Sequence, residues 1–192
     1  MSETPDPSAG RIRRNDPGRR SRIIDTALDV IAEVGVAGAS HRRIAAAAGV
    51  PLGSMTYYFD GMDDLLHEAF TRFATTVSDQ AERRMASARD ENEAGRAMVE
   101  HITEDIFGTQ RELVITHELY ALAARESGYR DITNAWMARS RRALERHFDP
   151  RTARMLDALV EGLTIHRALD TEPHDPAVVV DAVDRIIRGR SA

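Results

Sequence analysis

Hydrophobic residues recur every three or four positions along most of the chain, which is the spacing of a helix with one buried face. After Asp16-Pro17, a typical helix start, Ile24, Leu28 and Ile31 follow this spacing, and Gly35 is the expected end. No alternating, strand-like segment and no internal repeat is found. The pattern predicts an all-α fold of about nine helices.

The remaining helices are delimited by the same kinds of signal. Gly49, Asp60-Gly61, Gly108 and Gly128 mark expected ends, and Asp149-Pro150 marks an expected start. A proline-rich break is expected at 172–176. The predicted helices span about 41–48, 51–59, 62 onward, 92–107, 110–126, 129–148, 150 onward and a last one after the break.

Residues 40–59 form the pattern of a helix-turn-helix. Ser40 is a good N-cap for the first short helix, and the small Ala45 lets the two helices approach each other. Gly49 stands where the turn needs a positive φ, and Val50 is the apolar residue of the turn. Pro51 fits the start of the second helix, where an amide donor is not needed.

The outer surface of this motif has the residue types of a DNA-binding helix. Small and hydroxyl side chains let a helix enter the major groove, where Ser and Thr reach base edges and Tyr reaches phosphates. Two early arginines would meet the DNA backbone. The residues concerned are Arg42, Arg43, Leu52, Gly53, Ser54, Thr56, Tyr57 and Tyr58.

The distribution of charge supports this interpretation. The chain has a net charge of −5, yet residues 1–59 hold eight arginines against six acids, a net of +2, so the remainder carries −7. A basic end on an acidic body suits a small DNA-binding domain joined to a larger domain that does not bind DNA. Residues 1–16, rich in Pro, Ser, Gly and charge, are expected to be a disordered basic arm.

Composition narrows the cellular setting. Hydrophobic residues make up 42% and charged residues 30%, as in ordinary globular proteins, and there is no cysteine. No apolar run is long enough to span a membrane, and the first residues lack the apolar core of a signal peptide. We expect a cytoplasmic protein with no disulfide, no thiolate metal site and no membrane partner.

A family resemblance rests on Ile44-Ala45, Ala48-Gly49-Val50, Gly53, Tyr57-Tyr58-Phe59 and Asp63-Asp64-Leu65-Leu66. In order and spacing these residues resemble the N-terminal domain of TetR-family transcriptional regulators. The resemblance covers about residues 20–66. It implies a helix-turn-helix domain at 17–62, and a helical ligand-binding and dimerisation domain at 63–192.

The resemblance also implies roles for single residues. Ser40, His41 and Arg42 would lie against phosphates, and Tyr57 would support the second helix from within. The residues that would face the DNA groove are Leu52, Gly53, Ser54, Thr56 and Tyr58.

Two residues depart from the family pattern. Thr56 occupies a position that is usually tyrosine, and Met62 one that is usually lysine, so two common phosphate contacts are missing. Asp60, Asp63 and Asp64 surround Met62 and would repel DNA. The hypothesis is that the basic arm compensates by lying in the minor groove.

In the family, the helices that follow surround a pocket for a small-molecule inducer. Polar and aromatic residues on otherwise apolar faces are candidates to line it, although each histidine alone could equally be a core or surface residue. The pair His101/Asp105 lacks a third ligand, so no metal and no cofactor is expected. The pocket candidates are Ile102, Ile106, Thr116, His117, Tyr120, Trp136, Ser140 and Leu163.

Helices 8 and 9 resemble the family's dimer interface, in which two helices of each subunit form a four-helix bundle. Gly162 would permit close approach, and a homodimer would place two recognition helices on one operator. Ordinary packing within the chain is the alternative. The candidate interface residues are Leu156, Leu159, Val160, Leu163, Val179, Val183 and Ile186.

These features predict a transcriptional regulator, a repressor that binds a palindromic operator in double-stranded DNA and is released by a small-molecule inducer. Two other classes are weighed against it. A helical enzyme or carrier would use a site near His117-Glu118, but no nucleophile–base pair or metal set is legible there. A helical adaptor would use the basic arm to bind acidic partners. We expect a regulator and not an enzyme.

Overall fold

The computed structural model describes residues 16–105, 110–172 and 175–189. Within these residues the chain consists of helices and short connections and contains no strand, which confirms the all-α prediction. The helices are α1 (Arg19–Gly38), α2 (His41–Ala47), α3 (Gly53–Tyr58), α4 (Met62–Ser87), α5 (Glu91–Glu100), α6 (Gln110–Ala123), α7 (Ser127–Leu144), α8 (Pro150–Leu169) and α9 (Pro176–Arg188).

Side-chain caps explain where several helices begin. The side chains of Ser40, Asp90, Asp149 and Asp175 each accept a hydrogen bond from a backbone N–H in the first turn of the following helix. These bonds satisfy N–H groups that have no partner within the helix. The predicted starts at Ser40 and at Asp149-Pro150 are confirmed.

Several predicted helices differ from the observed ones. Helix α6 ends at Ala123 and α7 runs from Ser127 to Leu144, so the expected break at Gly128 lies inside α7 and the predicted end at residue 148 is four residues too late. Helix α1 continues to Gly38, although Gly35 interrupts its regular geometry with a φ of 69°. Helix α3 begins at Gly53 rather than at Pro51, because the bond from the Ser54 N–H to the Pro51 carbonyl spans three residues and forms a tighter turn. Helix α5 passes into a π-helical turn at His101–Asp105. Its predicted end at Gly108 lies outside the described residues.

The first hydrophobic core joins the helix-turn-helix to the middle of the chain. Ile23 of α1, Ile44 of α2, Met55 of α3 and Phe70 of α4 are fully buried in it together with Ile115 of α6. Helix α1 packs on α6, and α4 packs along α7. The first three helices are therefore anchored on α4, α6 and α7 through one continuous core.

The second hydrophobic core lies at the other end of the molecule. It is built from the end of α4, from α5 and α7, and from α8 and α9. Met98, Leu144, Leu156 and Val183 are its buried members from four different helices. Because α4 contributes to both cores, this helix connects the helix-turn-helix to the opposite end of the chain.

Arginines join the helices at the surface. Arg72 of α4 bonds Asp25 of α1 at 2.8 Å, and Arg139 of α7 bonds Glu82 of α4 at 2.7 Å and Asp79 at 2.5 Å. The hydrogen bonds from Arg139 lower the pKa of the Glu82 carboxyl. Exposed ion pairs add little stability, so these bonds contribute much less to the fold than the two hydrophobic cores.

Candidate DNA-binding surface and ligand cavity

The turn between α2 and α3 has the backbone that the sequence predicts. Gly49 adopts a φ of 64°, in the left-handed region that favours glycine. The Val50 N–H donates to the Ala45 carbonyl at 3.0 Å, and the Val50 side chain is buried. Ile44 and Met55 are fully buried on either side of the turn. The inner sides of both short helices are therefore fixed on the first core.

The opposite side of α3 is free of the protein body. Leu52 is 53% exposed and Tyr57 is 80% exposed, and Gly53 and Thr56 are exposed between them. We call these four residues the α3 outer face. Its centre carries no bulky side chain, because Gly53 has none and the Thr56 hydroxyl donates back to the Gly53 carbonyl at 3.3 Å. A helix with such a face can lie deep in a major groove.

Three residues of α3 lie differently from the expected positions. Ser54 is only 8% exposed, so its side chain is on the inner side of the helix and does not face the groove as predicted. Tyr57 points outward, whereas the resemblance places it inside. Tyr58, expected to face the groove, is half-buried and packs on the first core. Ser54 and Tyr58 are four residues apart and so share the inner face with Met55.

The residues at the start of α2 that were predicted to contact phosphates differ in exposure and in hydrogen bonding. Ser40 and Arg42 are exposed at the start of the helix. Arg43 is exposed as well, but its guanidinium donates to the Gly38 carbonyl at 3.0 Å and so ties α2 to the end of α1. His41 is half-buried, and its Nε2 has no hydrogen-bond partner among the described residues. Ser40 and Arg42 are therefore the α2 residues whose exposure agrees best with the predicted phosphate contacts.

The acidic start of α4 has a structural role. The Asp64 carboxylate accepts a hydrogen bond from the Asp60 N–H at 3.1 Å, and the Asp63 carboxylate accepts one from the Tyr129 hydroxyl at 2.5 Å. Met62 is half-buried against the first core. The Asp63 carboxylate therefore ties the start of α4 to α7, and Met62 packs on the first core. Of the predicted arm at residues 1–16, residues 1–15 lie outside the described residues.

A cavity of about 60 Å³ lies between α4, α6, α7 and α8. Three aromatic rings form much of its wall: the Trp136 ring meets that of Phe73 edge-on, with centroids 5.9 Å apart, and that of Tyr120 at 6.1 Å. Residues lining the cavity are Phe73, Val77, Gln80, Ala81, His101, Glu112, Thr116, Tyr120, Trp136, Ser140, Asp157, Val160 and Glu161.

Polar groups are buried in this largely apolar wall. The Tyr120 hydroxyl donates to the Glu161 carboxylate at 2.9 Å. Burial raises the pKa of the Glu161 carboxyl and that of the Tyr120 hydroxyl, because both lose water that would stabilise their charged forms. Thr116 is 1% exposed, and its hydroxyl has no hydrogen-bond partner among the described residues.

The cavity includes half of the predicted pocket residues. Thr116, Tyr120, Trp136 and Ser140 line it. Ile102 and Leu163 lie instead at a separate cleft near the start of α9, and Ile106 is outside the described residues. His117 is absent from the lining, and its Nδ1 lies 2.8 Å from the Leu113 carbonyl oxygen. The sequence did not indicate Glu112 of α6 or the α4 and α8 walls, which are formed by Phe73, Val77, Gln80, Ala81, Asp157, Val160 and Glu161.

Comparison with known proteins identifies the family. Residues 23–69 match the model described as bacterial regulatory proteins, tetR family, and residues 89–189 match the tetracyclin repressor-like C-terminal domain. The two matches together span most of the chain. The chain belongs to the TetR family.

Solved structures and a curated relative agree with this assignment. A transcriptional regulator of Streptomyces coelicolor A3(2), SCO7518, is 53% identical, with a TM-score of 0.84 over 90% of this chain and 99% of that one. The multidrug binding protein EbrR in complex with ethidium is 32% identical, with a TM-score of 0.69 over 90% of this chain and 99% of that one. The regulator BetI 1 of Chromohalobacter salexigens is 28% identical over 80% of each chain.

Membership of the TetR family decides between the regulator, enzyme and adaptor classes weighed in the sequence analysis. TetR-family proteins are DNA-binding transcriptional regulators, so this chain is a transcriptional regulator and not an enzyme, as the sequence predicts. In the described part of the chain, no helix is both long and apolar enough to cross a lipid bilayer. No group of three potential metal ligands is found among the same residues.

The apolar surface of this TetR-family regulator differs from the predicted dimer interface. Leu156 and Val183 are buried in the second core of their own chain, which corrects the prediction at these two positions. Leu159, Val160, Leu163, Val179 and Ile186 are half-buried against the same core. The residues that reach the surface are Met155, Ala158, Gly162 and Leu169 of α8 with Val178 and Val180 of α9, here called the α8–α9 apolar face.

Proposed function

We propose that this regulator is a cytoplasmic repressor that binds a palindromic operator in double-stranded DNA as a homodimer and is released by a small-molecule inducer. The observation that carries the proposal is the α3 outer face, an exposed helix surface with a glycine at its centre on a rigid helix-turn-helix. The cavity and the α8–α9 apolar face support the inducer and the dimer.

The DNA-binding part follows from shape and charge. Gly53 and Thr56 leave room for base edges, while Leu52 and Tyr57 flank them. A threonine hydroxyl can bond a base edge, and a leucine side chain can contact a thymine methyl group. Ser40 and Arg42 lie at the start of α2 in positions suited to phosphates on one side of the groove.

The homodimer follows from the α8–α9 apolar face. Met155, Ala158, Gly162 and Leu169 are spaced three to seven residues apart and run along one exposed side of α8. Two such helices pack closely when small residues lie at their crossing, and pairing removes the apolar surface from water. A two-fold dimer also presents two α3 outer faces, which a palindromic operator requires.

Gly162→Trp is expected to convert the dimer to a monomer. No heavy atom of the described residues lies within 4 Å of a Cβ added at Gly162, so a side chain can start there without a close contact in its own chain, and a large one would stand in the proposed interface. Gly128→Trp, at an equally open position on α7, is the matched control. Light scattering during gel filtration measures the mass, and a Gly162→Trp protein that stays dimeric contradicts the proposed interface.

The inducer response follows from the size and walls of the cavity. At about 60 Å³ the cavity is smaller than a pocket for a drug-sized ligand, which holds roughly 300–1,000 Å³. A ligand of that size must displace a wall, and Phe73, Val77, Gln80 and Ala81 belong to α4. Because α4 starts three residues after Phe59, its movement shifts α3 and changes the spacing of the two α3 outer faces. EbrR, described as a multidrug binding protein, is similar over this region.

Repression is tested with a reporter gene whose promoter contains an inverted repeat selected by the purified protein. Expression of this chain is expected to lower reporter output at least about tenfold, because a bound dimer blocks the promoter. A reporter with a scrambled repeat is the control. An increase in output contradicts repression, and an equal decrease with the scrambled repeat contradicts operator binding.

A further inference from the structure

Resting on the proposed operator binding, we infer that Glu118 of α6 is a positioning residue for DNA binding. Its side chain lies against the break in α1 at Gly35 and holds residues 36–38, here called the α1 end, at the angle from which the chain enters α2. The inference gives a residue outside the helix-turn-helix a part in DNA binding that the proposed function does not assign.

The first support is the break in α1. Gly35 has a φ of 69° and a ψ of 172°, a combination that is essentially restricted to glycine. Helical geometry resumes after it, so the α1 end does not continue the direction of the preceding turns. The backbone torsions of this one residue therefore set the direction in which the chain runs toward α2.

The second support is the position of the Glu118 side chain beside this break. A Cβ added at Gly35 would lie only 2.7 Å from Glu118 Oε1, so the carboxylate fills the space that a side chain would need. Glu118 is itself half-buried between α6 and α1. Because a close-packed interior has little free space, a group in this place limits how far the backbone at the break can move.

Helix α6 holds Glu118 firmly in place. Ile115 and Leu119, three residues before Glu118 and one after it, are fully buried in the first core. Arg111, nearer the start of α6, bonds Asp29 of α1 at 2.8 Å. The two helices are therefore joined on both sides of Glu118, and this residue cannot withdraw from the break without opening the core.

The α1 end is joined to α2 by a hydrogen bond. The Arg43 guanidinium donates to the Gly38 carbonyl at 3.0 Å, and only Ala39 and Ser40 separate α1 from α2. A shift of the α1 end therefore moves Ser40 and Arg42, the residues proposed to contact phosphates. Since phosphate contacts fix the register of a protein on the duplex, such a shift weakens operator binding.

Glu118→Ala removes the side chain beyond Cβ, so the α1 end is no longer held. We expect the affinity of the full chain for the selected operator, measured by fluorescence anisotropy, to fall at least about fivefold. Glu118→Gln keeps the size of the side chain. It is expected to bind within about twofold of the wild type, because the contact with Gly35 depends on shape and not on charge.

Glu33→Ala is the matched control, because Glu33 is an exposed carboxylate of α1 two residues before Gly35. Its removal takes away the same negative charge without changing the contact at the break. Less negative charge beside the DNA-binding helices favours association with phosphates, so Glu33→Ala is expected to bind the operator at least as tightly as the wild type. The loss expected in Glu118→Ala is therefore opposite to the effect of its change in charge.

Amide hydrogen exchange without DNA measures the effect on the α1 end itself. In Glu118→Ala, exchange is expected to become at least about threefold faster at residues 36–43 and to stay unchanged at residues 23–31, the buried part of α1. A residue that only stabilised the fold would change both segments. Should Glu118→Ala fail to fold, as judged by thermal melting, Glu118→Asp replaces it with the same expected directions, because its carboxylate is one methylene group shorter in reach.

Undiminished operator affinity in folded Glu118→Ala, an equal loss in Glu118→Gln or Glu33→Ala, or an even rise of exchange along α1 overturns the inference. Failure of the proposed function is a different result, because it is read from a wild-type protein that selects no operator. The exchange experiment needs no DNA, so it decides whether Glu118 holds the α1 end in that case as well.

Discussion

Gly53→Leu is expected to abolish specific operator binding while the protein remains folded. No heavy atom of the described residues lies within 4 Å of an added Cβ at Gly53, so the Cβ of a leucine there makes no close contact within the chain. Leucine also favours helix over glycine by up to about 1 kcal/mol. On the DNA side, the new side chain projects from the centre of the α3 outer face and keeps the helix out of the groove. We expect the affinity to fall at least about a hundredfold, or roughly 3 kcal/mol.

Fluorescence anisotropy with the selected operator measures this affinity, and thermal melting measures the fold. Gly128→Leu is a close control, because Gly128 is also exposed in the first turn of a helix with no heavy atom of the described residues within 4 Å. It is expected to bind the operator like the wild type. A folded Gly53→Leu protein with undiminished operator affinity would show that α3 does not enter the groove.

Phe70→Ala is expected to lower the free energy of unfolding by about 3–5 kcal/mol. Phe70 is completely buried in α4, and its ring meets that of Tyr129 of α7 edge-on at 6.0 Å. Its removal leaves a void where α1, α4 and α7 meet, and the first core cannot close it without moving these helices. The loss should act on the helix-turn-helix and on the cavity end together, because one core supports both.

Chemical denaturation at fixed protein concentration measures this loss, with helix content and Trp136 fluorescence as two probes. Both probes are expected to follow one shifted transition. The exposed neighbour Thr71 provides the control, since Thr71→Ala removes little buried surface and is expected to change stability by less than about 0.5 kcal/mol. A loss below about 1 kcal/mol in Phe70→Ala, or two separated transitions, contradicts the continuity of the first core between the helix-turn-helix and the cavity end.

Local signals in the sequence were sufficient for the helices and the turn. Ser40 and Asp149 cap the helices that they were expected to cap, and Gly49 has the predicted positive φ. Such signals depend on a few neighbouring residues, so one sequence is enough to interpret them. The resemblance around Gly53 and Tyr57-Tyr58-Phe59 was sufficient for the family, which the comparisons confirm.

The orientation of α3 could not be predicted in the same way. Helix α3 has six residues, fewer than two turns. In so short a helix the pattern does not show which of two neighbouring residues faces the core and which faces solvent. Ser54, Tyr57 and Tyr58 are all compatible with either face. The packing of Tyr58 against the first core decides between them and turns Ser54 inward and Tyr57 outward.

The outer surface of α8 and the α4 wall of the cavity could not be predicted from the sequence either. Helix α8 is apolar on two sides, so the residues of its own core, such as Leu156, cannot be distinguished by pattern from the exposed Met155 and Leu169. Phe73 and Val77 follow the apolar spacing of an ordinary core helix. That they line a cavity depends on how α4 is set against α6, α7 and α8, which is a property of the tertiary structure.

Selection of DNA by the purified protein from a pool of random duplexes tests recognition by the α3 outer faces most directly. We expect enrichment of an inverted repeat whose half-sites are centred one helical turn, about 34 Å, or a multiple of it apart, and no enrichment by Gly53→Leu. No enriched sequence, or a single unrepeated motif that Gly53→Leu selects equally well, would contradict DNA recognition by paired α3 outer faces.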